Sequence, residues 1–281
     1  ESNPAIMEEA SPFGGTATER EFVGPNSTND AKITYYLKKK HIFGKMLMEI
    51  QDLDGNKLIE LTPGKSKGIN VVTWNGLIKQ PKLAKGKSMA FGGFTSPRVP
   101  AGTYNVVMTK GKDSYKSKVT FVNDPKSLLT GEERKANYDA TIKLYDMSQE
   151  LAYMVYQIDE ILTKAEMVKK QGGSKNADVV IKDLTDLKKK LVTTTGDNYV
   201  DTEEAKLRGN IADLYSKIAS GFQAPTASEI ENMSLLEERF NDARQELNAI
   251  KAKQVPKMER YMEGKGMTEI TFKSYEEFIE E

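Results

Sequence analysis

The chain has 281 residues, with 41 basic and 41 acidic side chains, a single histidine and no cysteine. A length of this order fits about two domains. The balanced charge argues against a nucleic-acid-binding protein, which normally carries a basic excess or a clustered basic face. The lack of cysteine excludes disulfide frameworks, thiolate metal sites and cysteine nucleophiles. No stretch reaches the ~18 apolar residues that predict a membrane-spanning helix.

The first segment, residues 1–30, is rich in proline and glycine and has few periodic apolar positions. This composition is typical of an extended lead-in or linker. The chain begins at Glu1 rather than at a methionine, and no basic and apolar leader is present. We therefore expect a recombinant fragment or a mature or cleaved piece, from which any signal peptide or preceding domain is missing.

Residues 31–125 are predicted to form an immunoglobulin-like β-sandwich. Short runs rich in β-branched and aromatic residues alternate apolar and polar positions, and turn residues separate them. Asp54-Gly55 suits a hairpin turn because glycine accepts a positive φ. The first predicted strand starts at Ala31, and the others are Met46–Gln51, Lys57–Leu61, Gly68–Trp74, Thr103–Lys110 and Ser114–Val122.

The segment Leu77–Val99 interrupts this strand pattern with glycines and prolines among apolar residues. A loop of this length in a compact domain is either functional or folded against something else. Aromatic residues and arginine are enriched in interface hot spots, so Phe91, Phe94 and Arg98 are the candidate partner-binding residues. The alternative, that the loop folds onto the sandwich or onto the helical part, is equally open.

Residues 130–265 are predicted to form an antiparallel four-helix bundle. In the first helix, apolar or small residues recur at steps of four and three from Ala140 to Val168, which keeps them on one face. Short connections between four helical segments favour an up-and-down arrangement. The later helices carry their own apolar seams, Val180–Leu191, Leu207–Ile218 and Met233–Ile250.

Several residues are predicted to mark the ends of these helices. Two pairs have the spacing of a capping box, Thr130 with Glu133 and Thr226 with Glu229. Gly172-Gly173-Ser174 is expected to end the first helix, Asp201 or Thr202 to cap the third, and Pro256 to kink or end the fourth.

The tail, residues 266–281, is predicted to contain a short strand followed by an acidic end. Ile270 and Phe272 alternate with polar residues, which is the strand pattern. The sequence gives no position for this tail in the fold.

No catalytic, cofactor-binding or metal-binding constellation is evident. His41 follows a strand in a basic run, which favours a surface turn over a catalytic triad. Asp52–Asn56 begins like a calcium loop, but Leu61 stands where the bidentate glutamate is needed, which favours a hairpin turn. Trp74 is expected in the core rather than on a sugar-stacking surface. Paired carboxylates for glycoside hydrolysis stay open, because any two acidic residues can meet in space.

Two sets of residues carry a family resemblance. The run Gly68–Gly76 with Pro100–Tyr104 resembles the immunoglobulin-like module of flagellar hook-capping proteins. The wider order also includes Ile33–Leu37, Leu144–Met147 and Ala224–Thr226. It resembles the C-terminal region of large bacterial proteins that begin with a sortilin-like (VPS10-type) β-propeller of BNR repeats, often labelled glycosyl hydrolases.

This resemblance implies an extracytoplasmic bacterial protein, periplasmic, cell-surface or secreted, whose upstream propeller holds any catalytic centre. No catalytic residue of the family can be placed on this chain. The leading hypothesis is a non-catalytic accessory module, without a cofactor, that supports the propeller or contacts another protein. One alternative is a carbohydrate-binding or glycoside-hydrolase-associated region that reads glycan through Phe91 and Phe94. Another is an envelope or secretion-apparatus protein that uses the outer face of the helices.

Overall fold

The computed structural model describes residues 4–7, 30–172, 175–195 and 205–281, which form a mixed α+β fold. The chain divides into two compact units, and each unit is discontinuous in sequence. Unit 1 consists of Glu1–Lys79, Ser96–Tyr138 and Phe222–Ala224. Unit 2 consists of Gln80–Thr95, Asp139–Gly221 and Pro225–Glu281. The middle of the long predicted loop therefore groups with the helices.

Unit 1 contains two sheets. Their strands are β1 (Ala5–Met7), β2 (Ala31–Leu37), β3 (Met46–Gln51), β4 (Lys57–Leu61), β5 (Gly68–Trp74), β6 (Gly102–Lys110) and β7 (Asp113–Asn123). The larger sheet has the order β1-β7-β6-β3-β4, and the smaller pairs β2 with β5. All neighbours are antiparallel except β1, which runs parallel to β7. The strands predicted after the lead-in are confirmed, whereas β1 was not predicted.

Inward side chains of both sheets share one hydrophobic core. Its centre is Trp74, which is 2% exposed. Its ring packs edge-on against Tyr104 and Phe121, with centroid distances of 5.5 and 5.1 Å. Its Nε1 donates a hydrogen bond of 2.8 Å to the carbonyl oxygen of Leu77, so the indole polar group is paired despite its burial. The predicted core role of Trp74 is confirmed.

The helices are α1 (Gly131–Lys170), α2 (Lys175–Leu191), α3 (Leu207–Ala219), α4 (Ala227–Lys253), α5 (Val255–Gly264) and α6 (Tyr275–Glu280). The capping boxes at Thr130 and Thr226 both form. The break near Pro256 is confirmed, because α4 ends at Lys253 and α5 begins at Val255 with Pro256 in its first turn. Gly173 and Ser174, and the proposed α3 caps Asp201 and Thr202, lie outside the described residues.

The apolar seam predicted for α1 is buried from Ala140 to Val168. The seams of α2, α3 and α4 join it in one core. Polar pairs along this core give the helix directions. Three of them link α1 to α4 with the same offset of 94 residues: Lys143–Glu237 (2.7 Å), Glu150–Arg244 (3.4 Å) and Gln157–Lys251 (3.1 Å).

A constant offset means that α1 and α4 run parallel, so the prediction of an antiparallel bundle is wrong for this pair. The reason lies in helix length. At 1.5 Å per residue, α1 is about 60 Å long, whereas α2 and α3 are about 26 and 20 Å. α2 runs back along the later part of α1, with ion pairs Asp159–Lys188 and Lys169–Asp178. α3 lies against the earlier part, where the rings of Tyr145 and Tyr215 are 6.4 Å apart.

The strand expected at Ile270 and Phe272 does not form; this part of the tail has no regular secondary structure before α6. Both side chains instead pack against the helical core. Tyr153 Oη donates to the carbonyl oxygen of Lys273 (2.8 Å), and the backbone N–H of Lys273 donates to Tyr156 Oη (3.2 Å). The alternation of apolar residues thus reflects packing against α1 rather than a sheet.

We expect Ile158→Ala to lower the free energy of unfolding by about 2–5 kcal/mol, because Ile158 is 0% exposed and its removal leaves a cavity in the helical core. Urea denaturation followed by circular dichroism measures this. Leu235→Ala on α4 is the control, since Leu235 is 54% exposed and should change the value by less than about 0.5 kcal/mol. Equal losses for the two variants would contradict the burial of Ile158 in the helical core.

Candidate functional site

The candidate site is the loop between β5 and β6 that the sequence singles out. Its base closes within unit 1, where Val99 N donates to the carbonyl oxygen of Gly76 over 2.8 Å. Inside this closure, residues 80–95 belong to unit 2 and include a 3-10 helix at Phe91–Phe94. The contacts of residues 80–95 therefore determine what the loop can present.

Arg208, near the start of α3, holds one side of this loop. Its side chain is buried, and the residue is 6% exposed. Nη1 donates to the carbonyl oxygen of Ala84 (2.9 Å), and Nη2 donates to the carbonyl oxygen and Oγ of Ser88 (2.6 and 2.8 Å). Backbone carbonyls thus satisfy a buried cation that would otherwise be costly. A second tie joins Lys87 N to the carbonyl oxygen of Thr193 over 2.8 Å.

Further along α3, the loop is held by hydrogen bonds of hydroxyl groups and by close packing of its backbone against the helix. Tyr215 Oη donates to the carbonyl oxygen of Thr95 (2.8 Å), and the hydroxyls of Thr95 and Ser216 are 2.9 Å apart. Gly92 lies so near the helix that a Cβ built on it would stand 1.9 Å from the carbonyl oxygen of Ala212. Only glycine allows the two backbones to pack this closely.

The three predicted partner-binding residues have different surroundings. Phe94 is 61% exposed although its backbone oxygen accepts a hydrogen bond from Gln80 Nε2. The backbone of Phe91 is in the 3-10 helix, and its side chain lies outside the described part. Arg98 belongs to unit 1, where Nη1 donates to the carbonyl oxygen of Asn75 (2.6 Å). The structure therefore does not group Arg98 with the 80–95 loop, and Met89, 41% exposed, is the additional exposed apolar residue there.

Sequence reasoning missed Arg208 and Tyr215, although a signal for them exists. The recognised seam of α3 is Leu207, Ile211, Leu214 and Ile218. A second line, Arg208, Ala212 and Tyr215, has the same steps of four and three and is also buried. A helix with two buried lines needs two partners, and the loop is the second one.

Several titratable side chains of the types used in catalysis make hydrogen bonds within the fold. Tyr104 Oη donates to the carbonyl oxygen of Pro100 (2.7 Å), and burial raises the pKa of Tyr104 to about 12. Burial also raises the pKa of Tyr215 above its usual range. His41 lies in a turn with Nε2 3.2 Å from the carbonyl oxygen of Gly44. Asp52 accepts hydrogen bonds from Asn56 N and Nδ2, which forms the hairpin turn and lowers the pKa of Asp52.

In the described ranges, no group of three His, Asp or Glu side chains is arranged to hold a metal ion. Likewise, none of the helices described there has the length and apolar content needed to cross a bilayer. Comparison of the chain with protein families, curated proteins and solved structures gave no match.

We expect Gly92→Ala to loosen the loop, because the added Cβ collides with the backbone of α3 rather than with a movable side chain. Overpacking of this kind costs about 1–3 kcal/mol. Hydrogen–deuterium exchange should show faster exchange in residues 84–95. Gly131→Ala, where a Cβ meets nothing within 4 Å, is the control and should leave this exchange unchanged. Unchanged protection in the Gly92 variant would contradict the described packing.

Proposed function

We propose that this chain is a non-catalytic accessory and interaction module of an exported bacterial protein, and that the loop at residues 80–95 is its contact surface. The observation that carries the proposal is the exposed ring of Phe94 on a loop that α3 holds at several points. Contact of an aromatic ring with water is unfavourable. A partner that covers the ring of Phe94 therefore gains free energy from burying its apolar surface.

The anchoring of the loop favours binding. Ordering a mobile, rotamer-rich side chain at an interface costs about 0.5–1.5 kcal/mol, and a loop that is already ordered avoids much of this cost. Arg208, Tyr215 and Gly92 fix the backbone around the 3-10 helix before any partner arrives. Phe94 and Met89 are both exposed on this loop, and an exposed aromatic ring is of the type found at the centre of interface hot spots.

The hydrogen bonds that two tyrosine hydroxyls and one aspartate make within the fold support the non-catalytic part of the proposal. The hydroxyls of Tyr104 and Tyr215 donate to backbone carbonyls, so their protons serve the fold rather than a substrate. Asp52 closes a hairpin turn. A catalytic acid or base instead needs a position within hydrogen-bond reach of a substrate atom.

The larger setting rests on the sequence resemblance. The shared core of the two sheets supports an immunoglobulin-like sandwich, and the ordered motifs support a place downstream of a sortilin-like propeller. In that setting the two units act as a spacer and a docking element, and any hydrolytic centre lies in the propeller. The mass of the native polypeptide, detected in its source with an antibody to this chain, tests this: a species far heavier than 31.4 kDa is expected.

We expect Phe94→Ala to weaken partner capture at least about tenfold, since hot-spot aromatics contribute about 2 kcal/mol or more. The immobilised chain and its variants are incubated with a bacterial envelope extract, and bound proteins are quantified by mass spectrometry. Phe43→Ala is the matched control, because Phe43 is 86% exposed and lies in unit 1. Capture that is equal for all three proteins would contradict the role of this loop.

Glycan binding is the second candidate, because an exposed aromatic ring can also stack on a sugar. A glycan array probed with the chain and with Phe94→Ala separates the two. Binding of a glycan that Phe94→Ala abolishes, with circular dichroism unchanged, would replace the protein-interaction proposal by a carbohydrate-binding one. Hydrolysis of a glycan or peptide by the isolated chain, abolished by a point substitution, would overturn the non-catalytic proposal altogether.

A further inference from the structure

Three loops of unit 1 meet at one end of its strands. They are the β2–β3 loop (residues 38–45), the β4–β5 loop (62–67) and the β6–β7 turn (110–113). The first contacts the second, because His41 N donates to the carbonyl oxygen of Lys65 over 2.9 Å. It also contacts the third, because Gly111 N donates to the carbonyl oxygen of Lys45 over 3.1 Å. The three loops therefore lie side by side, and we call them the basic end of unit 1.

The charge at the basic end is mainly of one sign. The structure describes all three loops in full, and they contain eight lysines but a single acidic residue, Asp113. The lysines are Lys38, Lys39, Lys40, Lys45, Lys65, Lys67, Lys110 and Lys112, and all except Lys110 are exposed. This is a local exception in a chain with 41 basic and 41 acidic side chains. Such a surface attracts an anionic partner.

Large apolar side chains are exposed among these lysines. Phe43 is 86% exposed and its neighbour Ile42 is 67% exposed. One residue into the smaller sheet from the same end, Tyr36 on β2 pairs with Ile69 on β5, and both are exposed on the face away from the core. Directly paired residues of neighbouring strands have their side chains close together. The basic end thus combines cations with exposed apolar groups.

Hydrogen bonds fix the backbone that carries Ile42 and Phe43. The bond from His41 N to the next loop lies just before this pair. Just after it, the carbonyl oxygen of Gly44 is 3.2 Å from Nε2 of His41. Gly44 has a φ of 92°, a left-handed conformation that favours glycine. The two apolar side chains are therefore exposed on an ordered loop, and a partner does not have to order it first.

The apolar pair decides which anionic partner fits best. Nucleic acid offers phosphates to the lysines, but an aliphatic side chain such as Ile42 gains little from them. A second copy of this chain would bring lysines against lysines, which is unfavourable. A bilayer with anionic lipids offers negative charge at its surface and an apolar layer directly beneath, where Ile42 and Phe43 leave water. Tyrosine, as at Tyr36, is typical of the boundary between these layers.

We propose that the basic end of unit 1 binds the surface of an anionic phospholipid bilayer, with Ile42 and Phe43 inserted below the headgroups and the lysines beside the lipid phosphates. Burial of apolar area and attraction of the lysines then contribute together to the affinity. This goes beyond the proposed interaction module, because it adds a surface that holds the module at a membrane. The basic end lies in unit 1 and Phe94 in unit 2, so each proposal can fail without the other.

The first test measures the charge dependence of binding. The whole chain is mixed with phosphatidylcholine vesicles that contain or lack phosphatidylglycerol, and the bound fraction is measured by co-sedimentation. We expect saturable binding to the anionic vesicles that weakens as salt is raised, and at least about tenfold weaker binding to the neutral ones. Lys39→Glu with Lys40→Glu should lower the affinity for anionic vesicles at least about tenfold. Lys57→Glu with Lys126→Glu is the matched control, since it changes the net charge equally at exposed lysines outside the three loops.

The second test measures insertion. Phe43→Ala should lower the affinity for anionic vesicles at least about tenfold, because it removes apolar surface that the bilayer would bury. Leu53→Ala is the control, since Leu53 is 65% exposed in the β3–β4 turn and should leave binding unchanged. In Phe43→Trp, vesicles with brominated acyl chains should quench the fluorescence of the added tryptophan. The unaltered chain, whose single tryptophan is the buried Trp74, should not be quenched.

The outcomes separate a membrane from other anionic partners. Absence of binding to anionic vesicles, or equal losses in the two lysine double variants, would overturn the proposal. So would binding that survives Phe43→Ala without quenching in Phe43→Trp; equal competition by soluble polyglutamate would then indicate an acidic protein as the partner. Circular dichroism checks that each variant folds. Phe43→Ala should keep the capture of proteins from a membrane-free extract, and Phe94→Ala should keep vesicle binding, so the two proposed surfaces are tested independently.

Discussion

The buried face of α1 is the constraint on which the helical unit depends. This face must be covered along its whole length, from Ala140 to Val168. Exposing an apolar stripe of that size to water would destabilise the fold by far more free energy than any single contact contributes. No other helix described is as long. Three helices cover this face: α2 and α3 pack against α1 one after the other, and α4 runs parallel to α1. The tail also packs on α1, through the aromatic contacts of Tyr153 and Tyr156. Helix direction follows from this division of length.

The position of α3 has its own consequence for the loop. Because α3 carries a second buried line, Arg208, Ala212 and Tyr215, that side of the helix needs a partner as well. Residues 80–95 supply that cover, and the guanidinium of Arg208 can be buried only because the loop brings carbonyl oxygens to it. Gly92 serves the same approach, since a Cβ on it would stand 1.9 Å from the carbonyl oxygen of Ala212 on α3, whereas Gly93 makes room for the side chain of Leu83 within the loop. A stretch that looks irregular in sequence is thus an ordered part of the helical unit.

Local periodicity explains what could be predicted from the sequence. The strands from Ala31 to Asn123 and the helix seams show periods of two and of three to four, and nearly all of the predicted inward positions are buried. The relative direction of α1 and α4 was not predictable in this way, because the spacing of an apolar seam is the same for parallel and antiparallel packing. The direction follows from the offset of 94 residues that three polar pairs share. Ile270 and Phe272 show the converse, a period of two that arises from packing on a helix. Of the candidate site, sequence reasoning found the loop and Phe94 but missed the α3 residues that hold it, since those contacts join positions more than 100 residues apart.

The surface proposed for binding at Phe94 offers a partner a low ordering cost. The ring is exposed, and hydrogen bonds from Gln80 and Tyr215 already fix the backbone beneath it. A partner that covers the ring therefore gains the burial of its apolar surface without first having to order the loop.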